Sequence, residues 1–331
     1  MHIDVIGGSG FIGTRLCMRI EAAGEHSFSV IDKRPSALFP ALVRIADVRS
    51  DEHLRSAVTP QSVIVNLAAE HRDDVRPASL YDEVNVDGAR NVCQIASEMD
   101  VSVIVFTSSV AVYGFAPIGT DETGSISPFN DYGRTKFEAE KVYCAWQREA
   151  PSRRSLVIIR PTVVFGERNR GNVYNLIKFI SSRNFVMVGS GSNRKSIAYV
   201  ENVAAFIEHS LSFGPGIHLY NYVDKPDFTM NDLVARVRVL FGRSRSFGVR
   251  LPYRVGFLIG RAFDLVAAAS GLRFAISSIR IRKFCSDSVY GTSVGVSGFE
   301  PPVGLEEALE RTVRRDFIDS ESQETAVFYT E

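Results

Sequence analysis

A tyrosine and a lysine are spaced so that they can act together as a general base. Tyr132 and Lys136 lie four residues apart, so their side chains share one face if the segment is helical. A phenol titrates near pH ~10, and a neighbouring ammonium favours the phenolate. Upstream, Ser109 follows a β-rich run and can hydrogen-bond a substrate oxygen. These three residues predict proton transfer to or from a substrate hydroxyl.

A glycine-rich turn near the amino terminus predicts a dinucleotide site. Gly7, Gly10 and Gly13 have the spacing GxxGxxG, after an apolar run and before a helical pattern. Because they lack Cβ atoms, they permit a tight turn and close backbone approach to a pyrophosphate at the helix amino terminus. Phe11 and Ile12 belong to the same turn.

The residue that ends the second predicted strand indicates which dinucleotide binds. Asp32 lies 19 residues after Gly13, where a carboxylate accepts both ribose hydroxyls and repels a 2′-phosphate, so NAD is favoured over NADP. Lys33 and Arg34 follow and are the alternative, because they can hold that phosphate. The pair Asp47–Val48 can contact adenine, or Asp47 can simply cap a helix.

These residues must be carried by alternating strands and helices. Short apolar, β-branched-rich runs alternate with amphipathic stretches through the first 165 residues. The alternation predicts βαβ units, a parallel sheet and helices on both faces. The predicted strands are Ile3–Ile6, Ser29–Ile31, Val43–Ile45, Val63–Leu67, Val103–Thr107 and Leu156–Ile159.

The pattern changes after residue 166 and predicts a smaller, mixed lobe. We expect a cofactor domain over 1–166, a substrate lobe over 167–318, from which some segments can return to the first domain, and a frayed polar tail over 319–331. Thr229 is an expected N-cap. The predicted helices are Val173–Ser182, Val203–Leu211, Asp232–Phe241 and Leu305–Ile318.

Taken in order, these motifs resemble the extended short-chain dehydrogenase/reductase family. Within it, the chain is most similar to the NAD-dependent nucleotide-sugar epimerases and dehydratases, above all the 4-epimerases of UDP-hexoses and UDP-N-acetylhexosamines. The resemblance rests on GGSGFIG, TSSVAVYG, YGRTK and RPTVVFG, covers most of 1–166, and weakens towards residue 318. It implies NAD as cofactor and an α/β fold, a Rossmann-type doubly wound parallel sheet with a smaller mixed α/β substrate-binding lobe.

The resemblance also implies a role for each motif residue. Tyr132 would be the base, Lys136 its partner and a ribose ligand, and Ser109 the group that polarises the substrate oxygen. Asn85 would line the cofactor site, and Pro161 to Val163 would run beside the nicotinamide. The other expected cofactor contacts are Gly7, Gly10, Phe11, Ile12, Gly13, Asp32, Asp47, Val48, Leu67, Ala68 and Ala69.

Several reactions of this family begin with oxidation at C4 of the sugar. We expect a 4-epimerase, which needs no further group because the keto sugar rotates and hydride returns to its other face. An NAD(P)-dependent 4-ketoreductase or dehydrogenase uses the same three residues and is the alternative. A 4,6-dehydratase needs an acidic pair directly after the serine, where this chain has Val110–Ala111. A non-sugar alcohol or ketone and a non-catalytic module are the remaining alternatives.

A nucleotide-sugar diphosphate requires cations in the second half of the chain. Lys195 matches the position of the family's basic residue, and Arg194 is one position away. Arg280 and Arg282 would face the same side if their segment is extended, and either could complete a diphosphate clamp. The alternative is a solvent-facing basic turn for Arg194 and Lys195, and a charged strand or helix edge for Arg280 and Arg282.

Two further features of the second half concern the sugar. Asn172 and Asn175 stand where the family often places an asparagine against the substrate, although a helix cap explains Asn172 equally well. Counting back from Phe299, the region that limits pocket size in epimerases falls near Cys285–Ser286. Small residues there would leave room for an N-acetyl group.

Composition disfavours several classes of protein. The 331 residues include 38 basic and 38 acidic ones, and this zero net charge disfavours a nucleic-acid binder. The four cysteines are isolated, so we expect reduced thiols and no metal site. The amino terminus lacks the pattern of a signal peptide, and we expect a cytoplasmic protein.

The longest apolar stretch is Val255–Leu272, which Arg261 and Asp264 interrupt. It predicts a helix or helix pair of the folded body, with an interfacial membrane helix or a dimer surface as alternatives. Membrane association is therefore not expected. The family resemblance implies a homodimer through helices near Val86–Met99 and Tyr132–Gln147, whose apolar positions could equally be core.

Overall fold

Strands and helices alternate through the first half of the chain. The computed structural model describes residues 1–72, 75–182, 185–245, 249–271, 277–319, 326–328 and 330. Its strands are β1 (His2–Ile6), β2 (Ser27–Asp32), β3 (Val43–Ile45), β4 (Val63–Asn66), β5 (Val103–Thr107), β6 (Ser155–Pro161), β7 (Val163–Phe165), β8 (Val186–Val188), β9 (Arg194–Tyr199), β10 (Gly216–Tyr222), β11 (Asp224–Thr229) and β12 (Val249–Leu251). Its helices are α1 (Phe11–Ala23), α2 (Asp51–Ala57), α3 (Ser79–Tyr81), α4 (Gly88–Glu98), α5 (Asp131–Glu149), α6 (Asn172–Ser181), α7 (Val200–Ser210), α8 (Met230–Leu240), α9 (Tyr253–Ser270), α10 (Ser278–Cys285) and α11 (Leu305–Val313).

Seven strands form one parallel sheet in the order β3-β2-β1-β4-β5-β6-β10. The order reverses between β1 and β4, and ligands of such sheets bind at that crevice, beyond the carboxyl ends of the strands. β4 and β6 are buried along their whole length, because helices cover both faces. The expected Rossmann-type doubly wound sheet is confirmed, and the six predicted strands lie within two residues of β1 to β6.

Helices from both halves of the chain cover the sheet. On one face, α2, α4 and α5 pack around Trp146, and on the other, α1 and α7 pack through Leu16 and Phe206. An ion pair between Arg19 and Glu208, with 2.7 Å between nitrogen and oxygen, also joins α1 to α7. Thus α7 and the edge strand β10, although they come from the second half, belong to the layers of the large sheet.

The smaller lobe contains a three-stranded sheet, β11-β9-β7, and the pair β12-β8. Helices α6, α8 and α11 pack against these strands in a separate core. Thr229 caps α8, since its hydroxyl accepts a hydrogen bond from the Asp232 amide at 3.0 Å, as the sequence predicted. The helix predicted over Leu305–Ile318 is α11 followed by a π-helical turn over Arg314–Ile318.

The apolar stretch Val255–Leu272 forms α9, which ends at Ser270, while Leu272 lies outside the described residues. α10 crosses α9 closely, because a Cβ on Gly260 would lie only 2.8 Å from the backbone of Ser278. The segment that carries Arg280 and Arg282 is therefore helical and not extended, so these side chains do not point to the same side. None of the helices in the described ranges combines the length and apolar character needed to cross a bilayer.

The described part of the carboxyl-terminal tail contacts the body of the protein. The amide of Phe328 donates to the carbonyl of Arg168 at 2.9 Å. The Phe328 ring lies 5.7 Å from the ring of Phe11, centroid to centroid. The tail expected over 319–331 is thus anchored at this point, while residues 320–325, 329 and 331 lie outside the described residues.

Candidate active site

Ser109 and Tyr132 meet beyond the carboxyl end of β5. Ser109 follows that strand and begins a 3-10 turn, where its hydroxyl accepts a hydrogen bond from the Ala111 amide at 3.1 Å. Tyr132 is the second residue of α5, and its hydroxyl lies near enough to the Ser109 side chain for Ser109 to lower the pKa of the phenol. The two side chains are therefore neighbours, as the predicted chemistry requires.

A glycine allows the start of α5 to approach the serine turn. A Cβ on Gly133 would lie 2.4 Å from the carbonyl oxygen of Ala111, a distance that no real side chain could adopt. Asn130 fixes the beginning of α5, since its side chain accepts a hydrogen bond from the Gly133 amide at 2.9 Å. The position of Tyr132 therefore depends on the residue that follows it.

Lys136 lies one helical turn beyond Tyr132 and is buried. Its ammonium stands 4.3 Å from the centre of the Phe106 ring. Burial lowers the pKa of Lys136 to about 7, and the negative charge of Glu140 opposes that change. Because this pKa lies near neutral pH, the charge of Lys136 depends on which charged groups lie beside it.

Burial raises the pKa of Tyr132 above its ordinary value, although the nearby Ser109 side chain favours the phenolate. A phenol so placed stays protonated at neutral pH, and so cannot accept a proton, until positive charge stands beside it. Lys136 on the same helix face and an oxidised nicotinamide are the two sources of such charge. The geometry thus fits a base that works only in the cofactor complex.

A buried ion pair joins α5 to β6. Glu140 binds Arg160 through two contacts, at 2.8 and 2.6 Å, and accepts from the Ser108 hydroxyl at 2.5 Å. Arg160 also donates to the Tyr113 hydroxyl at 2.6 Å, which in turn donates to Asn221 at 2.9 Å. This network connects α5, β6 and the residue next to Ser109. It holds Lys136 and Ser109 in register.

The glycine turn lies at the reversal of strand order and is packed closely against neighbouring backbone. Gly7 has φ +78°, and a Cβ there would lie 2.7 Å from the Ala68 amide nitrogen. A Cβ on Gly13 would lie 2.6 Å from the Cα of Gly8. Gly10 is the N-cap of α1, whose amide groups therefore face the turn. The residues fit a dinucleotide with its diphosphate on the α1 amino terminus.

Asp32 ends β2 beside this turn. Its carboxylate accepts from the Ser9 amide at 3.1 Å and from the Arg34 amide at 3.0 Å. Burial raises the pKa of Asp32, and these two amide donors oppose that change. Lys33 pairs with Glu70 at 3.4 Å. Asp32 is therefore the group held against the turn, which suits the ribose hydroxyls of NAD.

Asp47 and Val48 occupy the loop between β3 and α2. Asp47 is engaged by Arg49, with 2.7 Å between nitrogen and oxygen, and this contact lowers the pKa of the Asp47 carboxyl. Val48 is buried and would meet a Cβ on Gly88 at 3.0 Å. Asp47 does not cap α2, because Ser50 does so.

The remaining expected cofactor residues border the same crevice. Leu67, Ala68 and Ala69 follow β4, and Asn85 braces that loop by accepting from the Glu70 amide at 2.9 Å. Asn85 also donates to Thr135 at 2.9 Å, which ties the loop to the catalytic helix. Pro161 ends β6 and Val163 begins β7, whereas Phe11 and Ile12 open α1.

Two of the predicted cations of the second half, Lys195 and Arg194, lie beside the carboxyl end of α10. Lys195 donates to the carbonyls of Lys283 and Ser286, both at 2.7 Å, and burial lowers the pKa of Lys195 to about 8. Its ammonium therefore holds the end of α10. Arg194 is exposed, and its amide donates to Asp287 at 2.7 Å.

The other predicted substrate residues lie in two places. Arg280 and Arg282 are on α10, whose end carries Cys285–Ser286. Asn172 and Asn175 are in the first turn of α6. Gly171 is the N-cap of that helix, so capping does not explain Asn172.

Sequence reasoning missed the parts that position the catalytic residues. Glu140 lies four residues after Lys136, and a carboxylate at that spacing normally marks an exposed helix face. Only the tertiary contact with Arg160 reveals its burial. Gly133 was visible within the YGRTK motif, and its role depends on the Ala111 carbonyl that faces it. Within the described ranges, no three His, Cys, Asp or Glu side chains are grouped to hold a metal ion.

Known proteins are similar to this chain in sequence and in fold. A family model described as the NAD dependent epimerase/dehydratase family matches residues 3–221. An N-acetyl-alpha-D-glucosaminyl-diphospho-ditrans,octacis-undecaprenol 4-epimerase from Escherichia coli O157:H7 is 45% identical over 98% of this chain and 97% of its own. A UDP-glucose 4-epimerase from Vibrio cholerae is 24% identical over 94% of each chain.

A solved structure agrees with this similarity. The UDP-glucose 4-epimerase of Thermus thermophilus in complex with NAD superposes with a TM-score of 0.72 at 19% identity, over 97% of this chain and 100% of that one. At this identity the likeness concerns the fold, including the nucleotide-binding sheet.

Proposed function

This chain belongs to the NAD-dependent epimerase/dehydratase family, and from that premise we propose that it inverts C4 of an N-acetylhexosamine joined through a diphosphate to a polyprenyl lipid. The observation that carries the proposal is 45% identity, over nearly the whole of both chains, to an enzyme named for such a substrate. Identity to the Vibrio UDP-glucose 4-epimerase is 24%. The sequence analysis favoured a UDP carrier. The proposal keeps the diphosphate and replaces the nucleoside by a lipid.

The catalytic residues supply the proton chemistry of this reaction. Tyr132 takes the proton of the sugar O4 hydroxyl, Ser109 donates a hydrogen bond to the same oxygen, and Lys136 stabilises the phenolate. NAD, when bound, accepts the C4 hydrogen as hydride and returns it. Between these two events the 4-keto sugar turns its other face to the cofactor. Tyr132 then gives its proton back to O4, and the residues return to their starting state.

The second half of the chain contains groups that suit the rest of the substrate. Arg194, Arg280 and Arg282 are cations around α10 and can meet a diphosphate. Lys195 fixes α10 in place and so shapes this region indirectly. The small side chains of Cys285–Ser286 support an N-acetyl substituent. We also propose, from the family resemblance, a cytoplasmic homodimer assembled through α4 and α5.

The test compares two carriers of the same sugar. Purified enzyme, without added cofactor, is incubated with N-acetylglucosaminyl-diphosphoundecaprenol and separately with UDP-N-acetylglucosamine, and the sugars released by mild acid are identified by chromatography. We expect N-acetylgalactosamine from the lipid-linked substrate without net NADH formation. Tyr132→Phe should abolish conversion. Tyr174→Phe, at a residue stacked on Phe317 at 4.8 Å, serves as the matched control.

Each other result contradicts a definite part of the proposal. Conversion of the UDP-sugar alone would reject the lipid carrier and restore the nucleotide sugar. Stoichiometric consumption of NADH or NADPH with a 4-keto sugar, in place of epimer formation, would identify a 4-ketoreductase.

A further inference from the structure

The amphipathic pattern of α9 is the reverse of that in an ordinary surface helix. Its buried positions are glycines: a Cβ on Gly256 would meet Val188 at 2.6 Å, and one on Gly260 would meet Ser278 at 2.8 Å. Small residues therefore face the body of the protein, and the large aliphatic residues face outwards. Surface helices of globular proteins normally bury their apolar stripe.

The outward stripe is long and continuous. Its residues recur at the spacing of one helix face, and all are exposed: Val255, Leu258, Ile259, Ala262, Leu265 and Val266. Leu258 is 67% exposed and Leu265 is 70% exposed. Contiguous apolar surface of this kind marks a site of interaction.

Basic residues lie along one edge of the stripe. The sequence 253–285 contains six basic residues and one acidic residue, in a chain whose net charge is zero. Helical geometry places Arg254 and Arg261 along one edge of the stripe, and both are exposed. The single acid, Asp264, is turned towards α10, where it accepts from the Ser278 amide at 3.2 Å. The surface is therefore apolar at its centre and positive at its border.

An exposed aromatic pair lies between α10 and the start of α5. Phe115 and Phe129 are both exposed, and their ring centroids lie 4.9 Å apart. From α10, the Arg282 guanidinium lies 5.0 Å from the Phe115 ring and the Lys283 ammonium 5.0 Å from the Phe129 ring. Phe129 precedes Tyr132 by three residues. These contacts connect α10 with the start of α5.

We propose that the α9–α10 hairpin docks on an anionic lipid bilayer, with its aliphatic stripe in the interface and its basic border on the headgroups. The proposal rests on the proposed function, in which the sugar is anchored in the membrane by its polyprenyl chain. Docking through this face brings the start of α5 close to the headgroup layer, where the diphosphate lies. It replaces the expectation, drawn from the sequence, that membrane association is absent.

Charge distinguishes a bilayer from a second copy of the chain as the occupant. A two-fold dimer through this hairpin would set the same basic border against itself. Like charges in contact oppose association, whereas anionic lipid attracts each Lys or Arg near its surface by about 1 kcal/mol. The apolar stripe suits either occupant, and the charge selects the lipid.

Vesicle flotation tests the proposal without any need for turnover. The full chain is mixed with vesicles of equal parts phosphatidylethanolamine and phosphatidylglycerol, or of phosphatidylcholine alone, and the floating fraction is measured. We expect binding to the anionic vesicles that weakens with salt. The double variant Leu258→Gln/Leu265→Gln should lower the partition coefficient about 100-fold, because two leucines no longer enter the interface.

Matched variants distinguish binding through this surface from nonspecific binding to vesicles. Val296→Gln removes a side chain that is 88% exposed outside the hairpin and should leave binding unchanged. Arg280→Gln/Arg282→Gln should weaken binding to the anionic vesicles alone. Equal flotation of the wild type and the leucine variant would overturn the proposal. So would sedimentation velocity showing that the wild type self-associates through these leucines without binding vesicles.

The experiments distinguish a wrong docking surface from a wrong proposed function. If the chain converts a detergent-dispersed lipid-linked sugar but does not float, the docking surface alone is wrong. If it floats through Leu258 and Leu265 but converts only the UDP-sugar, the lipid carrier is wrong and the docking surface stands. If both are correct, the leucine variant loses activity on vesicle-embedded substrate and keeps it on dispersed substrate.

Discussion

At the scale of single residues, proton transfer by Tyr132 depends on the positive charge beside its phenol. Burial raises the pKa of Tyr132, whereas burial lowers the pKa of Lys136 to about 7. Both changes favour the neutral pair in the protein without its cofactor. A positive nicotinamide beside the phenol favours the phenolate, so the base becomes active only when the cofactor site is filled.

Replacing the lysine should move the pH dependence of the reaction. The rate falls as pH drops through the pKa of Tyr132, because the protonated phenol cannot accept a proton. Lys136→Met removes an ammonium that favours the phenolate, so the acidic limb of the kcat profile should move upward by roughly one pH unit or more. Lys141→Met is the control, since Lys141 is exposed on α5 and paired with Glu138 at 2.8 Å. An unmoved limb in Lys136→Met would show that the lysine does not tune the base.

The candidate catalytic residues could be predicted at this scale, and the residues that support them could not. Ser109, Tyr132 and Lys136 were predicted from residue type, spacing and family resemblance. Glu140 and Arg160 were not identified as a pair, because they lie 20 residues apart and meet only when α5 packs on β6. Their burial is a property of tertiary structure.

At the scale of elements, the approach of α5 to the serine turn sets the geometry of the site. Gly133 permits that approach, since any Cβ would collide with the Ala111 carbonyl. Displacement of the helix start would move Tyr132 relative to Ser109 while leaving the glycine turn in place. Binding of NAD and the chemical step should therefore respond differently to a change here.

Gly133→Ala should lower kcat about 100-fold with little change in NAD affinity. The added methyl forces the start of α5 away from Ala111, and misplacement by about 1 Å costs that order of rate. Turnover and NAD binding by fluorescence titration measure the two effects. Gly295→Ala is the control, because a Cβ there meets nothing within 4 Å. Equal loss of NAD binding in Gly133→Ala would indicate general unfolding.

Element prediction succeeded where the local pattern decides structure. The strands β1 to β6 were visible as β-branched runs, and α8 was visible from its cap. The place of β10 beside β6 was not visible, because only pairing across 61 residues, between Ser155 and Gly216, defines it. The sequence left the segment of α10 open between an extended and a helical conformation, because its basic residues fit the edge of a strand as well as that of a helix.

At the scale of the whole molecule, the described end of the chain connects the tail to the cofactor turn. Phe328 packs on Phe11, the first residue of α1. The Nε2 atom of His71 lies 3.0 Å from the carbonyl oxygen of Thr330. His71 lies in the loop that follows β4. The tail therefore touches both sides of the crevice where the strand order reverses. Composition alone indicated only a polar tail.

Phe328→Ala should speed the release of NAD. Loss of the ring removes the packing against Phe11 and loosens the tail across the crevice, so we expect the dissociation rate to rise about ten-fold, as for the loss of one buried aromatic contact. Stopped-flow displacement measures this rate. Phe179→Ala, at a ring 5.1 Å from Phe185 in the smaller lobe, is the control. An unchanged dissociation rate in Phe328→Ala would show that the tail does not retain the cofactor.

The division of labour along the chain has an evolutionary consequence. The glycine turn and the three candidate catalytic residues precede residue 166, while α6, α9 and α10 follow it. Exchange of these three helices alone, with α7 and β10 kept in the large sheet, would alter the anchor of the sugar and leave the oxidation intact. A lineage could thus move between dissolved and lipid-borne glycans by remodelling helices that never touch the reacting carbon.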